Sequence, residues 1–91
     1  MDQKKYETVL STSIEEIKKL IEIAQKNINI FKAKKELTSE EKKQYDTLLK
    51  YNQGLNIILV HKQQNSNLSF DSLTNETAKA VEIILQSGYN L

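Results

Sequence analysis

A chain of 91 residues with 38% hydrophobic and 27% charged residues has material for one modest core and leaves little room for a deep internal pocket. Its formal net charge of +1 is too small for a general attraction to nucleic acid or anionic membrane. The absence of cysteine excludes disulfides, zinc–thiolate centres and thiol nucleophiles, and the absence of proline leaves long helices unobstructed.

Near the start, Asp2 can cap a short helix carrying Tyr6, Val9 and Leu10. Ser11-Thr12-Ser13 either break that helix or are run through by it, because their side chains compete for backbone groups. The opening residues lead into no apolar stretch of signal-peptide length, and no run approaches the roughly 20 apolar residues of a membrane span. A cytoplasmic location is therefore expected.

From Ser13 to Glu36 the periodicity is clearest. Ile14, Ile17, Ile21, Ala24, Ile28 and Phe31 recur at alternating spacings of three and four, which predicts one apolar face of a helix. Ser13 and Glu16 suit a capping box at its start. Lys35-Glu36-Leu37 predicts a turn, and Thr38 with Glu41 forms a second capping-box pattern. The next helix is expected from about Ser39 to Lys62, with Tyr45, Leu48, Asn52, Leu55 and Leu59 continuing the spacing. Two long helices joined by a short turn lie antiparallel, giving a hairpin over about residues 13–62. The apolar run 55–60 is also compatible with a strand paired to Leu68-Ser69-Phe70. Residues 63–71 read as a polar linker. A third helix is expected over about 72–87, with Leu73, Thr77, Ala80, Val81 and Ile84 on one side and a Schellman-type stop at Gly88 and Tyr89. The predicted fold is one all-α domain: an antiparallel hairpin plus a shorter C-terminal helix.

Ile23, Ile30, Ile57 and Val60 do not fit inside one hairpin, so they are candidates for an oligomer or partner interface, and a homo-oligomer is expected. No constellation of catalytic groups stands out. His61, the one histidine, reads either as a general base or ligand contact or as a helix-end residue meeting the last carbonyls. The pairs Glu15-Glu16 and Glu40-Glu41 point about 100° apart and suit first-turn positions better than a shared proton or metal. No metal site and no cofactor are expected, and the chain reads as a binding protein, not an enzyme.

Two groups could hold a ligand. Lys34, Lys35, Lys42 and Lys43, with Lys32, cluster at the predicted turn and could meet an anion, although Glu36, Glu40 and Glu41 are interleaved. Lys50, Tyr51, Asn52 and Gln53, with His61 and Lys62 further along, offer a cation, an aromatic ring and amides of the kind that hold a nucleotide. Asn52 could instead fix register as a polar residue in an apolar seam. Gly54 either lets another backbone approach or is an ordinary helix-packing glycine. All thirteen basic residues are lysine, which argues against sequence-specific DNA binding.

The Asn52-Gln53-Gly54-Leu55 stretch in a second hairpin arm, after a first helix with Ile17-Lys18 in its apolar stripe, resembles the short helical sponge proteins of phages that counter cyclic-oligonucleotide immune signalling, the anti-CBASS type. The resemblance covers about residues 14–62. It implies a small symmetric oligomer, phage- or mobile-element-encoded, that neutralises host defence by sequestering a nucleotide signal without cleaving it. That family carries an arginine shortly after the glycine, where this chain has Val60-His61-Lys62, so phosphate contacts would fall to lysines. Size, class and lysine-rich composition are also similar to those of bacteriocin immunity proteins of Gram-positive bacteria, which would place function at 71–91 and make the partner a protein. A small adaptor or inhibitor of a host protein is a further alternative.

Overall fold

A computed structural model describes residues 3–64, 71 and 73–87. The described residues form four helices and no strand: α1 (Gln3–Ser11), α2 (Ile14–Ala33), α3 (Ser39–Gln64) and α4 (Asn75–Gln86). None is long and apolar enough to cross a membrane.

Side-chain capping sets the helix boundaries. Ser11-Thr12-Ser13 break the chain: the Thr12 hydroxyl donates to the Thr8 carbonyl at 3.1 Å, and the Ser13 hydroxyl accepts from the Glu16 amide at 3.1 Å to start α2. The N-terminal segment is therefore a helix of its own. At the head of α3 the box is reciprocal. Thr38 Oγ1 accepts from the Glu41 amide, and Glu41 Oε1 accepts from the Thr38 amide, each at 3.1 Å. Two of the amides left without intrahelical partners are thus satisfied by side chains. Thr74 Oγ1 accepts from the Thr77 amide at 3.2 Å to start α4. At its end the Ser87 amide donates to the Ile83 and Ile84 carbonyls.

The element bounds differ from the sequence reading at the ends of helices, α4 among them, which begins at Asn75 and not near residue 72. The first long helix ends at Ala33, just before the turn expected at Lys35-Glu36-Leu37, and α3 continues through Gln63 and Gln64, the start of the expected linker. Residues 55–60 are helical, as the leading reading has them, and not the alternative strand. The partner 68–70 of the alternative strand, most of the linker and the stop at Gly88 and Tyr89 lie outside the described residues.

The apolar run suits a helix because it is covered on two sides. Helix α3 packs against both α2 and α4, while α1 packs on α4. Leu55 and Ile58 are buried, Ile57 and Leu59 pack against the core, and Val60 faces outward. At a rise of about 1.5 Å per residue, α3 extends about 39 Å, close to the 44 Å long dimension of the molecule.

The core follows the predicted seams in α2 and α4, whereas in α3 Tyr51 and Ile58, outside the predicted seam, are buried and Tyr45, Asn52 and Leu59 are only half-buried. Ile17, Ala24 and Ile28 of α2 are buried, as are Leu48, Tyr51 and Leu55 of α3 and Thr77, Ala80, Val81 and Ile84 of α4. Tyr6, Val9 and Leu10 bury the inner side of α1. Tyr6 donates its hydroxyl to the Glu82 carboxylate at 2.8 Å, tying α1 to α4. Burial, reinforced by the neighbouring Glu82, pushes the phenol pKa up.

Candidate functional site

The residues expected to form a nucleotide-holding face do not converge. Lys50, Tyr51, Asn52 and Gln53 are consecutive, and each step along a helix turns about 100°. Tyr51 is buried in the core, so its ring offers no stacking face. Lys50 is exposed and pairs with Asp46 at 3.3 Å. Gln53 is exposed. Asn52 is half-buried in the seam, with Oδ1 buried and without a hydrogen-bond partner.

His61 and Lys62 also take structural positions. His61 is half-buried, with Nε2 3.7 Å from the Glu76 carboxylate in the first turn of α4. Lys62 is buried and donates through Nζ to the carbonyls of Leu10 and Thr12. The ammonium thus sits at the C-terminal end of α1, where unpaired carbonyls and the helix dipole favour a cation. Burial lowers its pKa, while the two carbonyls favour the charged form. Lys62 is thereby withdrawn from any ligand surface.

Gly54 is a packing glycine. A β-carbon there would stand 2.9 Å from Ile84 Cγ1 and 3.0 Å from the Ala80 carbonyl oxygen. The backbone that approaches it is that of α4.

The lysines at the turn are gathered around one concavity. It is a shallow groove open to solvent, with a volume of about 620 Å³, lined by Phe31, Lys32, Lys34, Lys35, Lys42 and Tyr45, with Glu36 and Leu37 at the turn itself. Lys43 is exposed and does not line it. Phe31 and Tyr45 form its apolar wall, with ring centroids 5.7 Å apart and planes tilted by 47°. Lys34 lies over the Phe31 ring at 5.4 Å and pairs with the Glu41 carboxylate. That partner and the Thr38 amide hold the Glu41 pKa below its ordinary value. Among the described residues, Lys32, Lys35 and Lys42 have no ion-pair partner.

Phe31 and Tyr45 join the lysines here as members that the sequence did not single out for this group. Phe31 ends the first apolar seam and Tyr45 begins the second, so folding the turn was enough to bring them together. A second concavity of about 370 Å³ lies alongside, lined by Asn27, Ile30, Phe31, Lys34, Gln44 and Leu48.

The expected interface residues divide. Ile23, Ile30 and Val60 keep 56%, 58% and 49% of their surface exposed, whereas Ile57 packs against the core. Leu49, not singled out from sequence, is also exposed. Ile23 and Ile30 share one side of α2 with half-buried Leu20 and exposed Asn27, again at spacings of three and four. This outer seam is rotated from the inner seam that meets the core. Among the described residues no cluster of three or more potential metal ligands occurs. No family model, curated protein or solved structure matches this chain.

Proposed function

We propose that this chain is a non-catalytic binding protein that acts as a homo-oligomer by stoichiometric capture, sequestering a nucleotide signal in the manner implied by the resemblance to phage sponge proteins. The observation that carries the reading is the outer seam of α2. Leu20, Ile23, Asn27 and Ile30 have the spacing of a coiled-coil stripe, yet Ile23 and Ile30 remain more than half exposed when the core is complete. A single asparagine inside such a stripe favours pairing with a second copy, where the two amides can satisfy one another and fix register. The subunit in this reading is an antiparallel α2–α3 hairpin braced by α4 and α1, supported by the meeting of Phe31, near the end of α2, with Tyr45, near the start of α3.

Sedimentation velocity on the full chain and on an Ile23→Glu/Ile30→Glu variant tests the assembly. The full chain should sediment as an oligomer at micromolar concentration. The variant should be monomeric with an unchanged helical circular dichroism spectrum, because both positions lie outside the core. A full chain that stays monomeric over the same range would remove the reading.

A further inference from the structure

We propose that the concavity at the α2–α3 turn binds a phosphate-bearing aromatic anion of mononucleotide size. This deepens the sequestration reading and rests on it for biological sense, but the site is complete within one subunit and does not require the outer seam.

Size is the first argument. A volume of about 620 Å³ falls within the range of about 300–1,000 Å³ typical of small-molecule sites. Charge is the second. Four lysines line the space against one lining carboxylate, Glu36, in a chain whose overall charge is only +1. Glu41 already engages Lys34, so the cations left for a ligand are Lys32, Lys35 and Lys42. These come from both sides of the turn: Lys32 from the last turn of α2, Lys35 from the connection and Lys42 from the start of α3. Flexible ammonium groups arranged this way can close on a phosphate from two sides.

The aromatic pair is the third argument, and it gives the ligand class. Phe31 and Tyr45 are half-buried, so part of each ring lies open to the concavity. Lys34 is drawn across Phe31 by Glu41, so it shapes the wall and leaves phosphate contact to the other lysines. A planar base can rest against Tyr45 and the open part of Phe31 while its phosphate meets the free ammonium groups. Stacking of this kind tolerates any base, and lysine provides no base-edge readout. The site therefore selects for the pairing of a ring with a phosphate and not for one base.

Amide chemical-shift titration of the full chain with adenosine 5′-monophosphate, inorganic phosphate and adenosine tests the proposal. The monophosphate should perturb amides across residues 31–45 and bind more tightly than either fragment. A Lys35→Glu/Lys42→Glu variant should weaken it at least about tenfold, the factor expected from about 1.4 kcal/mol. Tyr45→Leu should weaken the monophosphate but not inorganic phosphate. Lys43→Glu, outside the concavity, should leave affinity within about twofold, well under 1 kcal/mol. No perturbation at millimolar monophosphate, or equal affinity for inorganic phosphate, would overturn the site. Such a failure with an intact oligomer leaves the assembly untouched, and binding by a monomer leaves the site standing without the assembly.

Discussion

Lys62 shows why residue type alone is a poor guide to function. As a lysine near the end of a long helix it has the reach and charge of a phosphate contact, but its ammonium is buried against the Leu10 and Thr12 carbonyls, holding the end of α1. Truncating it to methionine keeps the apolar stem and leaves those carbonyls without the cation. Hydrogen bonds to a charged group contribute about 1.5–3 kcal/mol each in favourable cases, and relaxation of α1 should recover part of that. Lys62→Met is therefore expected to destabilise the protein by about 2 kcal/mol in urea unfolding, with the largest gain in amide exchange within 3–11. Equal stability of variant and parent would show that the buried cation does not anchor α1. Gly54 argues similarly. Alanine normally improves a helix interior by about 1 kcal/mol over glycine, but here the added carbon meets the Ala80 carbonyl, which cannot rotate away. Gly54→Ala should thus lower stability by about 1–2 kcal/mol, as overpacking does. A stabilised variant would mean that α4 can retreat from α3.

At the scale of elements, the head of α3 links stability to pH. The Lys34 ammonium and the Thr38 amide depress the Glu41 pKa in the folded state. Its contribution is fully present above the ordinary glutamate value of about 4.3 and is lost as pH falls through the lower folded value. A Glu41→Gln variant should accordingly melt below the parent at neutral pH, and the gap in melting temperature should narrow as the solution is acidified past about pH 4. A gap independent of pH would show that packing, and not charge, is what glutamine disturbs. The capping box behind this behaviour was readable from Thr38 and Glu41, as were the inner seams of α2 and α4, because spacing and capping are local properties of the chain; in α3 only Leu48 and Leu55 of the predicted seam are fully buried, and Tyr51 and Ile58 share the core with them. The separation of α1 from α2 was less readable, since Ser11-Thr12-Ser13 can stay helical or break according to what surrounds them. The helical state of 55–60 was less readable, because its composition alone also suits a strand; in the fold α3 packs against both α2 and α4, and Leu55 and Ile58 of this run are buried.

At the scale of the molecule, the turn lysines were legible as a cluster but not as a site. Their positions in the sequence brought together Lys32, Lys34, Lys35, Lys42 and Lys43. Only the folded turn adds the Phe31–Tyr45 wall, assigns Lys34 to Glu41 and leaves Lys43 outside. The supposed amide face failed for a geometrical reason that periodicity already contained, since four consecutive helical residues cannot face one ligand. Surplus apolar surface was also legible, although Ile57 was counted with it and is absorbed by the core. What remains outside is the α2 stripe of Ile23 and Ile30, together with Leu49 and Val60 on α3. In the proposed function this surface assembles a capturing oligomer. Native mass spectrometry of the gently purified chain tests it most directly, because subunit number and retained small molecules are read together. A symmetric oligomer carrying additional mass that matches a nucleotide is the expected result. A bare monomer at every concentration would contradict it.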